Sequence, residues 1–259
     1  MIEVCSLSSG SNGNCFYVRT GSQSFLVDAG ISCKQILLRL EHIGSSIQHI
    51  AGIFVTHEHS DHTCGLRVLL KKHPMPVYIT EKTYRYSHFE ISPEYLHLID
   101  ANERININDT VVQALPKSHD AVEPTLFCFY YKNIKISIIT DIGYACENVI
   151  AAVRDAHVIF LESNYDDSML WYGGYPPYLK ERIAGNHGHL SNLHAGELIL
   201  NHASQHLSHV FLAHLSENSN TPDIALNTFL SMIQKRHDLS HVNTLLTSRV
   251  SVSPVVRIK

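Results

Sequence analysis

The stretch His57-Glu58-His59-Ser60-Asp61-His62 places three imidazoles and the carboxylate of Asp61 within six residues, directly after the apolar segment 50–55. Imidazole is a good ligand for Zn, Mn, Fe or Ni, and a bound divalent cation can ionise a water molecule near neutral pH. The stretch therefore predicts a hydrolytic metal centre.

Chance is a poor explanation for this stretch. Although 19 of the 259 residues are histidine, composition gives the pattern His-x-His-x-Asp-His only roughly four chances in a thousand over a chain of this length. The alternative interpretation is a polar loop with unrelated histidines. Against it, Asp61 and His62 lie where a helix is expected to begin.

Length and composition indicate an ordinary globular chain. With 259 residues, 44% of them hydrophobic and 17% charged, we expect one domain covering residues 1–259. The sequence has no run of about 18 apolar residues, and its N-terminus lacks the basic and apolar segments of a signal peptide. We therefore expect a cytoplasmic protein without a membrane partner, and the sequence leaves a homodimer open.

Cysteine spacing and net charge limit the kinds of site. The six cysteines include no Cys-x-x-Cys pair, which argues against a zinc ribbon and a thioredoxin-type motif. Cys64 follows His62 by two residues and is an alternative ligand, although an inert thiol is the default interpretation. A net charge of −4 argues against nucleic acid, but two bound divalent cations would reverse that charge locally.

Short apolar runs alternate with helical patterns along the chain, which predicts an α/β fold. Residues 126–131 and 134–140 flank Lys132-Asn133 and predict an antiparallel hairpin. Residues 164–188, rich in Gly, Pro and Tyr, are the longest stretch predicted to be irregular, and such loops often border functional sites. Other strands are predicted at 25–27, 50–55, 77–79, 111–115, 157–161 and 209–213, and helices at 33–42, 66–72, 146–154, 193–203 and 222–236.

Three isolated polar residues, His119, Asp141 and His214, follow predicted strands. Metal ligands are often placed at such strand ends. Taken singly, each is more simply a surface histidine, a turn aspartate or a capping histidine.

Together with the opening stretch, these residues resemble the pattern of the metallo-β-lactamase superfamily, which is His-x-His-x-Asp-His, a distant His, an Asp and a final His. The segment 26–30 is similar to an early strand-end Asp of that superfamily, which is usually structural. Further segments resemble the YycJ/WalJ family over nearly the whole chain, with Tyr165 as a departure where that family has histidine. These segments are 8–14, 118–121, 161–164, 175–176, 179–183, 188–192 and 213–216.

The resemblance implies a four-layer αββα sandwich with two metal ions at the sheet edges, zinc or manganese, with iron or nickel as alternatives. Residues His57 and His59 are alternate residues of an extended loop, so their side chains can point to the same side. Asp61 and His62 are adjacent, so they must point in a different direction. By analogy, one metal takes His57, His59 and His119, the other takes Asp61, His62 and His214, and Asp141 bridges them.

A centre of this kind can hold a shared hydroxide as nucleophile, with Asp61 as one catalytic residue, and can attack phosphorus or a carbonyl carbon. Which of these two reactions the centre catalyses then depends on the residues that assist the leaving group. His189 is the second predicted catalytic residue, because a phosphodiester alkoxide leaves poorly without a positioned acid. The segment 188–192 also resembles the Gly-His-Ser-Thr stretch of RNase Z relatives. The alternative is a histidine that caps the next helix or binds metal structurally.

Aromatic residues in the segment 171–178 precede Lys180 and Arg182, which offers stacking faces for bases and cations for phosphate. The loop 8–14 offers backbone N–H groups and hydroxyls for an anionic end. The alternatives are loop packing or a dimer interface for the aromatic residues and a plain turn for the loop 8–14. The predicted substrate-binding residues are Ser9, Ser11, Asn12, Asn14, Asn164, Tyr175, Lys180, Arg182, Ser191 and Asn192.

The leading prediction is a metal-dependent phosphodiesterase. The resemblance makes it a 5′-to-3′ exonuclease with DNA rather than RNA as its partner. The alternative is a thioesterase or glyoxalase-type carbonyl hydrolase of the same fold, since Asp141 argues only against a lactamase, which commonly has Cys there. A non-enzymatic module with a degenerate site is disfavoured because all seven ligand positions are filled.

Overall fold

The computed structural model describes residues 1–258, and within them two seven-stranded sheets pack face to face. The first sheet has the order β14-β1-β2-β3-β4-β5-β6, and its last four strands are parallel. Its strands are β1 (Ile2–Ser8), β2 (Cys15–Thr20), β3 (Gln23–Val27), β4 (Ile50–Phe54), β5 (Val77–Thr80), β6 (Leu96–Ile99) and β14 (Val256–Ile258).

The second sheet has the order β13-β12-β11-β10-β9-β8-β7. Its strands are β7 (Arg104–Ile107), β8 (Thr110–Pro116), β9 (Thr125–Tyr131), β10 (Ile134–Ile139), β11 (Val158–Glu162), β12 (His209–Ala213) and β13 (Asn243–Leu246). Strands β7 to β10 are antiparallel, and β10 to β13 are parallel. The predicted hairpin is confirmed as β9 and β10, and Lys132 in its turn has a left-handed φ of 53°.

Helices lie on the outer faces of both sheets. The helices Cys33–His42 and Leu66–Lys72 pack on the first sheet, and the helices Glu147–Val153, Asn192–His202 and Pro222–Ile233 pack on the second. In residues 1–258, no helix has both the length and the apolar character needed to cross a membrane. The helices are α1 (Cys33–His42), α2 (Ser60–Thr63), α3 (Leu66–Lys72), α4 (Glu81–Tyr86), α5 (Glu147–Val153), α6 (Asp167–Tyr172), α7 (Pro177–Ala184), α8 (Asn192–His202) and α9 (Pro222–Ile233), with single 3₁₀ turns at Ile47–His49 and His237–Leu239.

Side chains of the central strands alternate between two apolar layers because successive residues of a strand point to opposite faces. In β3, Phe25 packs into the core between the sheets, and its neighbour Leu26 packs under the helices. In β9, Phe127 faces the other sheet and Cys128 faces α5 and α8. Both faces of each sheet are thus buried, and the predicted αββα sandwich is confirmed.

The prediction that residues 164–188 are irregular is wrong, because α6 and α7 lie within them. Asp166 caps α6 by accepting a hydrogen bond of 2.9 Å from the backbone N–H of Met169. Pro177 occupies the first turn of α7, where its missing N–H costs nothing. These helices have six and eight residues, too short for an apolar period to stand out among their glycines and prolines.

The carboxyl ends of β3, β4, β8, β10, β11 and β12 lie at one edge of the sandwich. Three residues within two positions of these strand ends adopt left-handed backbone angles, with φ of 62° at Asp28, 55° at Asp141 and 56° at His214. Such angles cost a residue with a Cβ of the order of 1–3 kcal/mol, and they cluster at functional sites. Backbone strain at three neighbouring strand ends indicates that this edge carries the function.

Candidate metal centre

Potential metal ligands gather at this edge. In residues 1–258, four overlapping groups have ligand atoms that all lie within 4.8 Å of one another. All seven predicted ligands belong to these groups, together with His189 and Glu162. The groups are His57, His59 and His119; Asp61, His62 and His214; His57, His62 and Asp141; and Asp141, Glu162, His189 and His214.

The first group comes from the loop after β4 and the loop after β8. The ring of His57 lies 4.6 Å from that of His59 and 5.0 Å from that of His119, and the latter two rings are 5.2 Å apart. His57 and His119 are buried, and His59 is partly exposed. The three rings therefore surround one point, as one predicted metal site requires.

The second group surrounds a neighbouring point. Nε2 of His62 lies 3.5 Å from Oδ2 of Asp61, and Nε2 of His214 lies 3.7 Å from the same oxygen. Asp141 lies between the two groups, because its Oδ2 is 3.3 Å from Nε2 of His62 and its ligand atom also groups with that of His57. The structure thus places the predicted bridging residue where both groups meet.

Four of the histidines have their Nδ1 atoms engaged by neighbouring oxygens. Nδ1 of His62 donates to Asp28, Nδ1 of His119 to the carbonyl of Gly188, and Nδ1 of His214 to Glu162. Nδ1 of His57 lies 2.9 Å from Oγ1 of Thr56, a hydroxyl that itself donates to Asp28. Each ring therefore has its lone pair on Nε2, which is the usual arrangement of a metal-binding histidine. The four distances are between 2.7 and 3.1 Å. Nε2 of His62 lies 3.1 Å from Nδ2 of Asn14.

Buried atoms without partners show that these residues fit a metal. Nε2 of His57, Nε2 of His214 and Oδ2 of Asp141 are buried and form no hydrogen bond within residues 1–258. Leaving a buried polar atom unpaired costs about 1–3 kcal/mol. All three atoms are strong ligands for Zn²⁺ or Mn²⁺ and lie in the groups described above.

The charges in the cluster also fit a bound metal. Burial alone would lower the pKa of His62 and of His214, but the carboxylates around them raise the first well above its usual value and the second to about 10. Burial lowers the pKa of His57 well below its usual value and that of His119 to about 4. The second group therefore attracts positive charge strongly, and a divalent cation would replace the two protons.

Asp28 holds the metal-ligand loop in place. Its Oδ1 accepts a hydrogen bond of 2.8 Å from the backbone N–H of Thr56, and its Oδ2 accepts one of 2.7 Å from His62. The structural role that the resemblance implied for this strand-end aspartate therefore has a concrete form: it fixes the orientation of the His62 ring.

Glycines let the N-terminal loop pack against the same loop. The backbone N–H of Asn14 donates to the carbonyl of Asp61 at 2.7 Å, and that of Gly30 donates to the carbonyl of Asn14 at 2.8 Å. A Cβ at Gly30 would lie only 1.6 Å from the carbonyl oxygen of Asp61. The glycine is therefore required by the close approach of two backbones under the candidate site.

The site contains a carboxylate that sequence reasoning did not assign. Glu162 is fully buried, and its Oε1 accepts hydrogen bonds from Nδ1 of His189 at 2.7 Å and of His214 at 3.0 Å. Burial would raise the pKa of Glu162, but the adjacent histidines lower it to about 2. The available signal was a charged residue at the end of the apolar run Val158–Glu162.

Sequence reasoning also missed Lys117. Its side chain is fully buried, and Nζ donates a hydrogen bond of 2.6 Å to the carbonyl of Thr140. Nζ lies 4.0 Å from Oδ2 of Asp141. A lysine immediately after an apolar strand is usually a surface residue, so no local sequence pattern identifies Lys117 as part of the site.

His189 lies at the rim of the cluster. Its side chain is 23% exposed, and Nδ1 is 2.7 Å from Oε1 of Glu162 and 3.9 Å from Oδ1 of Asp141. The ionised Glu162 fixes the proton on Nδ1, so that Nε2 is the atom left for other partners. The histidine is therefore beside the candidate metal ligands rather than capping α8, whose N-cap is Ser191.

Half of the predicted substrate-binding residues are buried and engaged in the framework of the site, so substrate contact by these five stays a prediction. Oγ of Ser9 accepts a hydrogen bond from the backbone N–H of His214, and Asn164 donates to the carbonyl of the same residue. The side chain of Asn14 contacts Asp61 and His62, Ser191 caps α8, and Asn192 bonds to Ser163 and Asn220.

The other five are exposed or partly exposed, and their contact with a substrate also stays a prediction. Ser11 and Asn12 are exposed at the tip of the N-terminal loop. Lys180 donates to the carbonyl of Trp171, and Tyr175 accepts a hydrogen bond from Asn218. Arg182 is paired with Asp120, whose other oxygen lies 3.4 Å from Nε2 of His119. A substrate phosphate that binds Arg182 would therefore compete with Asp120.

Two further residues were singled out in the sequence. Tyr165 is 3% exposed, and burial together with nearby carboxylates raises its pKa to about 12, so it is a neutral phenol. Cys64 belongs to none of the ligand groups found in residues 1–258. Its Sγ instead donates to the carbonyl of Gly30 at 3.0 Å.

Comparison with known proteins agrees with this geometry. Residues 9–169 match the family model of the metallo-beta-lactamase superfamily. The chain is 35% identical over 233 residues to the exodeoxyribonuclease YycJ of Bacillus anthracis, which covers 89% of this chain and 88% of the relative. It is 32% identical over 232 residues to the exodeoxyribonuclease WalJ of Streptococcus pneumoniae, which covers 88% of this chain and 86% of the relative.

Among solved structures, the metallo-beta-lactamase fold protein YhfI from Bacillus subtilis superposes with a TM-score of 0.73 over 98% of each chain. Its sequence identity is 14%, so this likeness concerns the fold. The sequence matches and the shared fold lead to one conclusion: the chain belongs to the metallo-beta-lactamase superfamily and, within it, to the family of the YycJ and WalJ exodeoxyribonucleases.

Proposed function

We propose that this protein is a metal-dependent phosphodiesterase that degrades DNA as a 5′-to-3′ exonuclease. The observation that carries the proposal is the pair of His189 and Glu162 beside the candidate metal ligands. Such a pair can supply a proton to a leaving oxygen, which a phosphodiester requires and a thioester does not. The choice of DNA follows the names of the relatives, and the polarity follows the family resemblance.

In this proposal the two groups of ligands hold two divalent cations. His57, His59 and His119 would hold one cation, Asp61, His62 and His214 would hold the other, and Asp141 lies between the two groups. Two bound cations supply a nucleophilic hydroxide at neutral pH and neutralise charge on the phosphate that is attacked. The engaged Nδ1 atoms of the histidines and the unpaired Nε2 atoms of His57 and His214 support this division.

His189 then acts as the general acid. Because Nδ1 is held by Glu162 at 2.7 Å, Nε2 is the nitrogen that remains for a substrate. A proton on Nε2 can pass to the departing alkoxide oxygen, and Glu162 stabilises the charged ring before the transfer. Nδ1 of His189 lies 3.9 Å from Oδ1 of Asp141, so the ring lies beside the point where the two ligand groups meet.

The segment α6 to α7 is proposed as the binding surface for the strand. Trp171, Tyr172 and Tyr178 expose 47%, 91% and 72% of their surfaces, and several exposed aromatic side chains in one short segment are a candidate interaction surface. Exposed aromatics can stack on bases without regard to sequence, and nearby lysine and arginine can bind phosphates. Lys180 and Arg182 lie on the same helix as Tyr178.

An assay of the purified protein in Mn²⁺ and in Zn²⁺ tests the proposal. The substrates are 5′-phosphorylated duplex DNA, single-stranded DNA, RNA and a thioester, with Asp61→Asn as the matched control that lacks one ligand charge. We expect metal-dependent release of nucleotides from the 5′ ends of DNA, and a loss of this activity in Asp61→Asn. Absence of cleavage of every nucleic acid would refute the proposal, and thioester turnover alone would favour the carbonyl hydrolase.

A further inference from the structure

A fully buried lysine links two loops that carry candidate ligands. Lys117 immediately follows β8 and comes two residues before His119. Its ammonium donates a hydrogen bond of 2.6 Å to the carbonyl of Thr140, the residue before Asp141. Its side chain is completely inaccessible to solvent. No step of the proposed reaction uses this group.

A single hydrogen bond to the carbonyl of Thr140 does not offset the cost of burying the charge of Lys117. A second buried lysine, Lys135, donates to the carbonyls of Ala151 and Arg154 at 2.6 and 2.7 Å. These carbonyls lie at the C-terminal end of α5, where the helix dipole favours a cation. The acceptor of Lys117 follows a strand instead, so the desolvation of its charge must be offset by the nearby carboxylates.

The charges of the cluster can be counted. Four carboxylates contact candidate ligand histidines. Within residues 1–258, Lys117 is their one cationic partner that is not a histidine. Asp120 also approaches a ligand histidine, but Arg182 neutralises it. With the histidines left out of the count, four carboxylates and one ammonium give a charge of −3, so two divalent cations leave +1 with the lysine and zero without it. The four carboxylates are Asp28, Asp61, Asp141 and Glu162.

We propose that Lys117 is a positioning residue that holds Asp141 between the two ligand groups and adds one positive charge to the loaded site, so that the site selects anionic phosphate esters. The inference rests on the proposed function and specifies its substrate class. A lysine with only a structural role would strengthen the binding of zinc and the binding of phosphate together. A charge-balancing lysine has opposite effects on two kinds of ligand, because it repels cations and attracts anions.

Two affinities measured on four variants test the proposal. Zn²⁺ affinity is measured by competition with a chelator, and the affinity of the zinc-loaded protein for inorganic phosphate is measured by calorimetry. Lys117→Met removes the charge and the hydrogen bond, Lys117→Gln removes the charge but keeps an N–H donor, and Lys117→Arg keeps the charge. Lys135→Met is the matched control, since it removes a buried lysine that contacts none of the cluster.

We expect Lys117→Met and Lys117→Gln to bind Zn²⁺ at least as tightly as the unchanged protein and to bind phosphate roughly tenfold more weakly or worse. Lys117→Arg should restore phosphate affinity to within about threefold. Lys135→Met should lower the melting temperature and change neither affinity. A parallel loss of zinc and phosphate affinity, an unchanged phosphate affinity, or failure of both neutral variants to fold would overturn the proposal.

These measurements do not depend on cleavage of DNA. If the unchanged protein cleaves no nucleic acid but the affinities follow the expected pattern, the proposed function fails and the role of Lys117 stands. If DNA is cleaved and the pattern is absent, the role of Lys117 fails and the proposed function stands.

Discussion

Replacing Asp141 with asparagine is expected to lower the rate of phosphodiester cleavage by at least about 10³-fold, equivalent to about 4 kcal/mol of transition-state stabilisation. Asp141 groups with His57 from one half of the cluster and with His62 and His214 from the other. Asparagine keeps the shape and tolerates the left-handed backbone, but it removes the charge that both cations would share. We also expect fewer than two metal ions per chain in the variant.

The matched control is Asp155→Asn. Asp155 also has a left-handed φ of 56°, but it lies between α5 and β11 at the opposite edge of the sheet and is exposed. Its replacement should change neither metal content nor cleavage rate. Single-turnover cleavage of 5′-phosphorylated duplex DNA, with metal analysis of the same samples, makes the comparison. An Asp141→Asn protein that retained two metals and full turnover would show that this carboxylate is not shared between them.

Replacing His189 with alanine is expected to lower the rate of DNA cleavage by about 10²–10⁴-fold while metal content is unchanged. The reason is chemical: a general acid matters when the leaving group is a poor one, such as a sugar alkoxide. For a p-nitrophenyl phosphodiester, whose leaving group departs without a proton, the same variant should lose far less activity. Comparison of the two substrates therefore separates proton donation from a general disturbance of the site.

His187→Ala is the matched control for this experiment. His187 precedes His189 by two residues, is exposed, and lies 3.3 Å from the hydroxyl of Ser118. It is not among the ligand groups found in residues 1–258, so its loss should affect both substrates little. Equal losses on the two substrates in His189→Ala would indicate a structural role, and full turnover on DNA would remove His189 from the mechanism.

The sequence identified the parts of the site that are local or that follow a known pattern. The stretch 57–62 is dense enough in ligands to be recognised without a fold. His119, Asp141 and His214 became candidates because the resemblance ordered them, and the structure now places them beside that stretch. The alternation in β3 and β9 that buries both faces follows directly from the periodicity of a strand.

Residues that act through distant contacts were not predictable in this way. Glu162 reaches His189 and His214, which follow it by 27 and 52 residues, and no spacing rule links such positions. Lys117 is recognisable only once Thr140 and Asp141 are known to lie beside it. The helices α6 and α7 depend on a single cap and a single proline rather than on an apolar period.

In the proposed mechanism two cations, held by two groups of ligands that share Asp141, are both needed for phosphodiester cleavage. The most direct measurement is a titration of the metal-free protein with Mn²⁺, in which bound metal and cleavage of 5′-phosphorylated duplex DNA are followed together. We predict two bound ions per chain and cleavage that appears with the second. Full cleavage with one ion bound per chain, or with none, would contradict this mechanism.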